Sequence, residues 1–149
     1  MVTSLKDCDL IIEAVTENEE LKLKIFNEID QLAPDKAILA SNTSSISIAS
    51  IASATKRPDK VIGMHFMNPV PIMKLVEVIK AQTTSQEVTQ KIMELSKAID
   101  KIPVEVNDAP GFVANRILMP MINESIETLY NGVAGVYEID TVMKLGIAH

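Results

Sequence analysis

Glycine is scarce in this chain, with five in 149 residues: Gly63, Gly111, Gly132, Gly135 and Gly146. None belongs to a GxGxxG turn or a P-loop, so no phosphate cradle of either kind is written into these residues. A single cysteine, Cys8, excludes a disulfide framework within the chain, and with two histidines it leaves no CxxC or HExxH metal site. Cys8 is expected to be a small buried apolar residue in a reducing compartment. Tryptophan is absent, tyrosine and phenylalanine number two and three, and the formal net charge is −6, which argues against a nucleic-acid footprint. The start, MVTSLKDCDL, has neither a basic beginning nor an apolar run, so no signal peptide is expected. No stretch reaches the ~20 apolar residues of a membrane span. What is present is 47% apolar and 23% charged residues, enough for a globular core. The composition is that of a cytoplasmic-type soluble chain. At this length, one domain or one domain and part of another is expected.

The apolar run Leu10-Ile11-Ile12, continued by Ala14 and Val15, is short and bounded by polar residues; it reads as a strand buried on both faces. Asn18 can cap a helix whose Leu21, Ile25, Ile29 and Leu32 recur with helical spacing, and Pro34 ends it. Ala37 to Ala40 form a second strand, followed by the polar cluster 41–45 and a small-residue helix from Ile46 to Ala54. Val61 to Met64 form a third strand. Strands and helices alternating at this spacing imply a parallel sheet. The segment Leu75 to Ile79 follows too closely for a crossover and is expected to return antiparallel. Thr84 with Glu87 suggests a capping box opening a helix with Val88, Ile92, Leu95 and Ile99 on one face, and Pro103 to Val106 a last strand. A long apolar helix from Phe112 to Tyr130, broken only by Pro120, and a further helix from about Val136 complete the reading.

The fold class implied is α/β: the C-terminal half of a Rossmann-like doubly wound domain with an antiparallel return over 1–108, then the start of an all-α domain over 109–149. A parallel sheet beginning at Leu10 would leave an isoleucine-rich edge uncovered. The chain is therefore expected to be a fragment in which Met1 need not be a true start.

Among residues able to carry chemistry, His65 stands at the carboxyl end of the third strand, where open α/β sheets place ligands, and Ser44 follows the end of the second. If the hairpin is symmetric about Pro71, His65 lies opposite Glu77. A carboxylate beside a histidine fixes its tautomer and stabilises the imidazolium, as a general base near neutral pH requires. A structural histidine beside a solvated Glu77 is the commoner arrangement, and the residues alone leave both open. Ser44 could be a nucleophile, a substrate contact or a helix cap; without a GxSxG elbow, acyl-enzyme chemistry is disfavoured. Asn68 before Pro69 reads as a turn residue, and Glu17 with Lys22 as a solvated face. Asn115, in an apolar stretch, needs partners for its amide and so caps a neighbour or meets a ligand. The eight methionines read as core filler.

Taken together, SNTSSISI at Ser41 to Ile48, HFMNPVPIMKLVEVI at His65 to Ile79, PGFVANRIL at Pro110 to Leu118 and the closing YEIDTVMKLG resemble the short-type 3-hydroxyacyl-CoA dehydrogenases. The motifs run in order and at the right spacing over essentially the whole chain, and the bacterial branch acting on 3-hydroxybutyryl-CoA is the one it looks most like. Met67 stands where many relatives carry Phe. The resemblance implies an oxidoreductase interconverting 3-hydroxyacyl-CoA and 3-oxoacyl-CoA with NAD or NADP. By the same resemblance His65 is the base and Glu77 its acidic partner. Ser44 contacts substrate and nicotinamide, and Asn115 helps hold the reacting oxygen. Glu17, Lys22 and Asn68 approach the cofactor, and Asn42 lines the cleft. No metal site, nucleic acid or membrane is implied; a homo-oligomer, formed through the rest of the helical domain, is. Relatives carry a glycine-rich turn that is absent here, so the chain alone is expected to be inactive. A dehydrogenase of a non-CoA 3-hydroxy acid or sugar acid would share the fold and the histidine. A non-enzymatic degenerate Rossmann and helical module is the remaining alternative, against which the intact set of Ser44, His65, Glu77 and Asn115 counts.

Overall fold

The computed structural model describes residues 5–149; the status of Met1 and the reading of the first residues lie outside them. The described chain forms two compact units, the first ending at Phe112 and the second spanning Val113–His149.

The first unit is a five-stranded sheet in the order β1-β2-β3-β4-β5, made of β1 (Leu10–Glu13), β2 (Ile38–Ser41), β3 (Val61–Phe66), β4 (Leu75–Lys80) and β5 (Ile102–Asn107). Strands β1, β2 and β3 run parallel, β4 returns antiparallel to β3, and β5 lies parallel to β4. This is the expected Rossmann-like arrangement with its antiparallel return. Alternate side chains point to opposite faces. One face carries Leu39, Val61 and Ile79 and is covered by α1 (Glu19–Leu32) and α2 (Ile48–Ser53) through Phe26, Ile29, Ile48 and Ile51. The other carries Ala40, Ile62, Met64, Val76 and Val78 under Val88 and Ile92 of α3 (Gln86–Ala98).

Several details differ from the sequence reading, each for a physical reason. Strand β1 is a sheet edge, so it is not buried on both faces; Ile12 is 43% exposed while Glu13 is inside. Helix α1 is capped by Asn18, whose side chain accepts from the Leu21 amide at 2.9 Å, and stops at Ala33 because a residue before proline avoids the helical region. Its buried face, however, is Lys22, Phe26, Ile29 and Asp30, leaving Leu21 and Leu32 exposed. The cause is polar: Lys22 pairs with Glu13, and Asp30 receives the Arg57 guanidinium at 2.7 Å. Helix α3 is capped by Ser85 and not Thr84. Thr84 is buried, donates to the Val61 carbonyl at 2.7 Å and accepts from the Ala81 amide at 3.1 Å, so its hydroxyl is already committed. Leu95 and Ile99 face outward, and Thr89 and Ser96 are buried in their place.

In the second unit, α4 (Ala114–Tyr130) starts two residues later than the apolar run suggests. Gly111 and Phe112 have φ of 75° and 48°, left-handed values that a right-handed helix cannot include. Pro120 sits inside α4, and α5 (Val136–Gly146) follows; neither helix has a fully buried residue. Of the described methionines only Met64 is fully buried, while Met73 and Met119 are exposed, so methionine as core filler fails for most of them; Cys8 is half-buried. No helix among the described residues is long and apolar enough to cross a membrane.

Candidate active site

The parallel strands end at one edge of the sheet, and the return of β4 brings Glu77, near its start, to the same edge. Strand register makes the placement explicit. Glu13, Ser41, Gly63 and Ile79 pair successively across β1 to β4, and His65 opposite Glu77 is the next pair on the same face. The hairpin is thus symmetric about Pro71, and Glu77 is 2% exposed, so the solvated-edge alternative is excluded.

His65, itself 6% exposed, has its Nδ1 2.7 Å from Glu77 Oε2. An ionised carboxylate only accepts, so in this contact Nδ1 is the donor, and in the tautomer with its proton on Nδ1 the imidazole presents a lone pair on Nε2. The Ser44 hydroxyl lies 3.1 Å from that nitrogen. Phe112, buried at the end of the first unit, sets its ring 5.8 Å from the imidazole at an interplanar angle of 56°. Ser44, His65 and Glu77 therefore form one chain of contacts from the exposed loop to the buried carboxylate.

The loop bearing Ser44 is not a helix cap; Ser47 caps α2 and accepts from the Ser50 amide. The loop is held instead by the β1–α1 connection. Glu17 Oε1 accepts from Thr43 Oγ1 at 2.6 Å and from the amides of Ser44 and Ser45 and the Ser45 hydroxyl, each at 2.9 Å. Partial burial would raise the Glu17 pKa, but these hydroxyl and amide donors outweigh it and hold the carboxyl below its ordinary range. Asn42 is half-buried; its side-chain oxygen accepts from the Phe66 amide at 3.1 Å, beside His65.

Lys22 and Glu17 are not the solvated pair that their spacing suggests. Lys22 is 0% exposed, and its ammonium meets both Glu13 carboxylate oxygens at 2.7 and 2.9 Å, with the Asn42 carbonyl at 3.2 Å and that of Val15 at 3.4 Å. Ser41 adds a hydroxyl to Glu13 at 2.7 Å. Glu13 and Phe112 escaped the sequence reading. Glu13 was detectable, because an acid in a buried-type strand demands a partner; Phe112 carried no comparable mark.

Asn68 is exposed in the turn after β3, joined to Pro69 by a cis peptide bond. Asn115 lies in the first turn of α4 in the second unit and is half-buried, not fully enclosed. Among the described residues no group of three His, Cys, Asp or Glu is placed to hold a metal ion.

A histidine–carboxylate pair at the carboxyl edge of a Rossmann-like sheet is the arrangement of a nicotinamide-dependent dehydrogenase. The family model "3-hydroxyacyl-CoA dehydrogenase, NAD binding domain" matches residues 1–109, and "3-hydroxyacyl-CoA dehydrogenase, C-terminal domain" matches 111–149. The chain belongs to the 3-hydroxyacyl-CoA dehydrogenase family. It is 59% identical over 145 residues to the 3-hydroxybutyryl-CoA dehydrogenase of Clostridioides difficile, covering 97% of this chain and 52% of the relative. It is 48% identical to the human mitochondrial hydroxyacyl-coenzyme A dehydrogenase, covering 95% and 45%. The crystal structure of (S)-3-hydroxybutyryl-CoA dehydrogenase from Ralstonia eutropha matches with a TM-score of 0.96 at 51% identity, over 99% of this chain and 52% of that one. The chain thus spans about half the length of these relatives.

An NAD-binding family implies NAD, whose nicotinamide ring is cationic when oxidised and neutral when reduced, and the exposed edge is open to that end. Ser44 offers a hydroxyl there, and exposed Val15, just past the carboxyl end of β1, offers apolar surface. Lys22 does not fit a phosphate, since its three donors already face four acceptors within the protein.

Proposed function

We propose that the protein bearing this chain interconverts 3-hydroxybutyryl-CoA and acetoacetyl-CoA with NAD. Residues 1–108 belong in this reading to the dinucleotide-binding part and 109–149 to the start of the helical part. The observation that carries it is the contact chain from Ser44 Oγ through the imidazole to Glu77, at 3.1 and 2.7 Å. Bound NAD supplies the acceptor for the hydride leaving C3 of the substrate. His65 Nε2 takes the proton of the 3-hydroxyl as that hydride departs. The imidazole then holds a proton on both nitrogens, and Glu77 stabilises the charge through Nδ1. In the reverse direction the imidazolium returns the proton to the forming alkoxide. Ser44 orients the substrate oxygen at Nε2, and Asn42 and Asn68 line the cofactor side of the edge. Asn115 enters as a contact of the same oxygen on the strength of the family motif alone. The reading includes a cytoplasmic location and a homo-oligomer, both carried over from composition and resemblance.

In the full-length protein, His65→Ala is expected to lower acetoacetyl-CoA reduction by ~100- to 10,000-fold while leaving NADH binding nearly unchanged. Wild-type turnover would remove His65 as the base. Parallel assays with free 3-hydroxybutyrate test the substrate class: equal rates on the free acid and the CoA ester would overturn the CoA assignment.

A further inference from the structure

Resemblance assigns Glu17 and Lys22 to the cofactor; within the chain, exposed Glu17 binds the loop after β2 and buried Lys22 binds Glu13. Ser41 donates to Glu13, and the Asn42 amide donates to the Glu13 carbonyl at 2.7 Å. Lys22 holds the Asn42 carbonyl, and Glu17 holds Thr43, Ser44 and Ser45. Every residue from Ser41 to Ser45 is thus tied to residues 13, 17 or 22. Thr43 extends the tie by accepting from the Ile46 amide at 3.0 Å.

We propose that Glu17 is a positioning residue that fixes Ser44 against His65, standing on the buried Glu13–Lys22 pair. The proposal rests on the reading of Ser44 and His65 given above. Four donors from three successive residues converge on Glu17 Oε1, and two of them are backbone amides. A carboxylate in that position sets the course of the main chain through Ser44, and so the direction of its hydroxyl. Without it, neighbouring amides and hydroxyls would turn to water, and the loop would sample positions in which Ser44 misses Nε2. Misplacement of about 1 Å at a reacting centre costs on the order of 100-fold in rate. Charge matters as well, because donors to an ionised acceptor form stronger bonds than donors to a neutral one. Glu13 and Lys22 lie beneath this layer, where removing one partner would strand a buried charge. Glu17 itself is exposed, so its substitution tests geometry and leaves the core intact.

The test is a double-mutant cycle in the full-length protein, with acetoacetyl-CoA and NADH as substrates. Glu17→Ala is expected to lower kcat by roughly 10- to 100-fold, with the NADH Kd from fluorescence titration changed by less than about 3-fold. Glu17→Gln, which keeps one oxygen acceptor, should recover part of the loss. In a Ser44→Ala background, Glu17→Ala should cost less than about 3-fold more, because the group it positions is gone. An NADH Kd weakened about 10-fold with unchanged kcat would make Glu17 a cofactor contact and overturn the proposal. An equal loss in both backgrounds would also overturn it. Wild-type turnover by Ser44→Ala would overturn the role of Ser44 itself. A large loss in Ser44→Ala with none in Glu17→Ala would overturn positioning alone.

Discussion

A lysine ammonium shut away from water is tolerable only where anions and carbonyls replace its hydration, and Lys22 shows how this is arranged. Both oxygens of Glu13 and two main-chain carbonyls surround it. The opposite situation occurs at Ser96, whose hydroxyl is buried in α3 with no hydrogen-bond partner. Leaving a buried hydroxyl unsatisfied is costly, and alanine is the better helix former. Ser96→Ala should therefore stabilise the protein by about 1 kcal/mol, read as a higher denaturant midpoint at constant m-value. At this scale the sequence was unevenly informative. The His65–Glu77 pair followed from counting residues about Pro71. The partner of Lys22 did not, since Glu17 is nearer in sequence and Glu13 reaches it only after β1 and α1 have packed together.

Among the elements, β3 and α2 show how a missing side chain places a helix. Gly63 lies in the row joining Glu13, Ser41 and Ile79, and a Cβ there would stand 2.8 Å from Ile48 Cδ1 and 2.9 Å from Ile79 Cβ. The Ile79 Cβ belongs to a rigid neighbouring strand, so Ile48 and the start of α2 would have to move. Gly63→Ala should cost about 1–3 kcal/mol in stability, measured by denaturant unfolding. Helix existence, the parallel run of the first strands and the antiparallel return were all legible from apolar spacing and connection length. Helix rotation was not. Leu21, Leu32, Leu95 and Ile99 fit a helical stripe and are nevertheless exposed, while Lys22, Asp30, Thr89 and Ser96 face inward. Periodicity weighs only apolar residues, and in α1 the ion pairs with Glu13 and Arg57 decide which side is buried.

Over the whole molecule, burial is concentrated in the first unit. Strands β2 and β4 are almost wholly enclosed, whereas α4 and α5 contain no fully buried residue and expose Ile117, Ile126, Tyr130, Val136 and Leu145. Protection from hydrogen exchange follows such differences. In the 149-residue chain, amides of β2 to β4 should exchange slowest and those of α4 and α5 markedly faster, as measured by exchange with mass spectrometry. Uniform protection over both units would contradict this distribution.

The few glycines bound what these residues do: with no phosphate cradle among them, they form the strand edge that bears His65 and Glu77 and not a glycine-rich turn. By itself the sequence determined the α/β class, the parallel strands with their antiparallel return, the change to helices after Gly111 and the pairing of His65 with Glu77. Those features depend on local periodicity, proline and glycine placement, and the arithmetic of one short hairpin. Tertiary structure alone decided that Glu77 is buried, that Glu17 grips the Ser44 loop, and that Lys22 faces Glu13. Each of these depends on desolvation and on contacts between segments brought together only when the sheet forms. Their strength comes from a three-dimensional environment that no local spacing encodes.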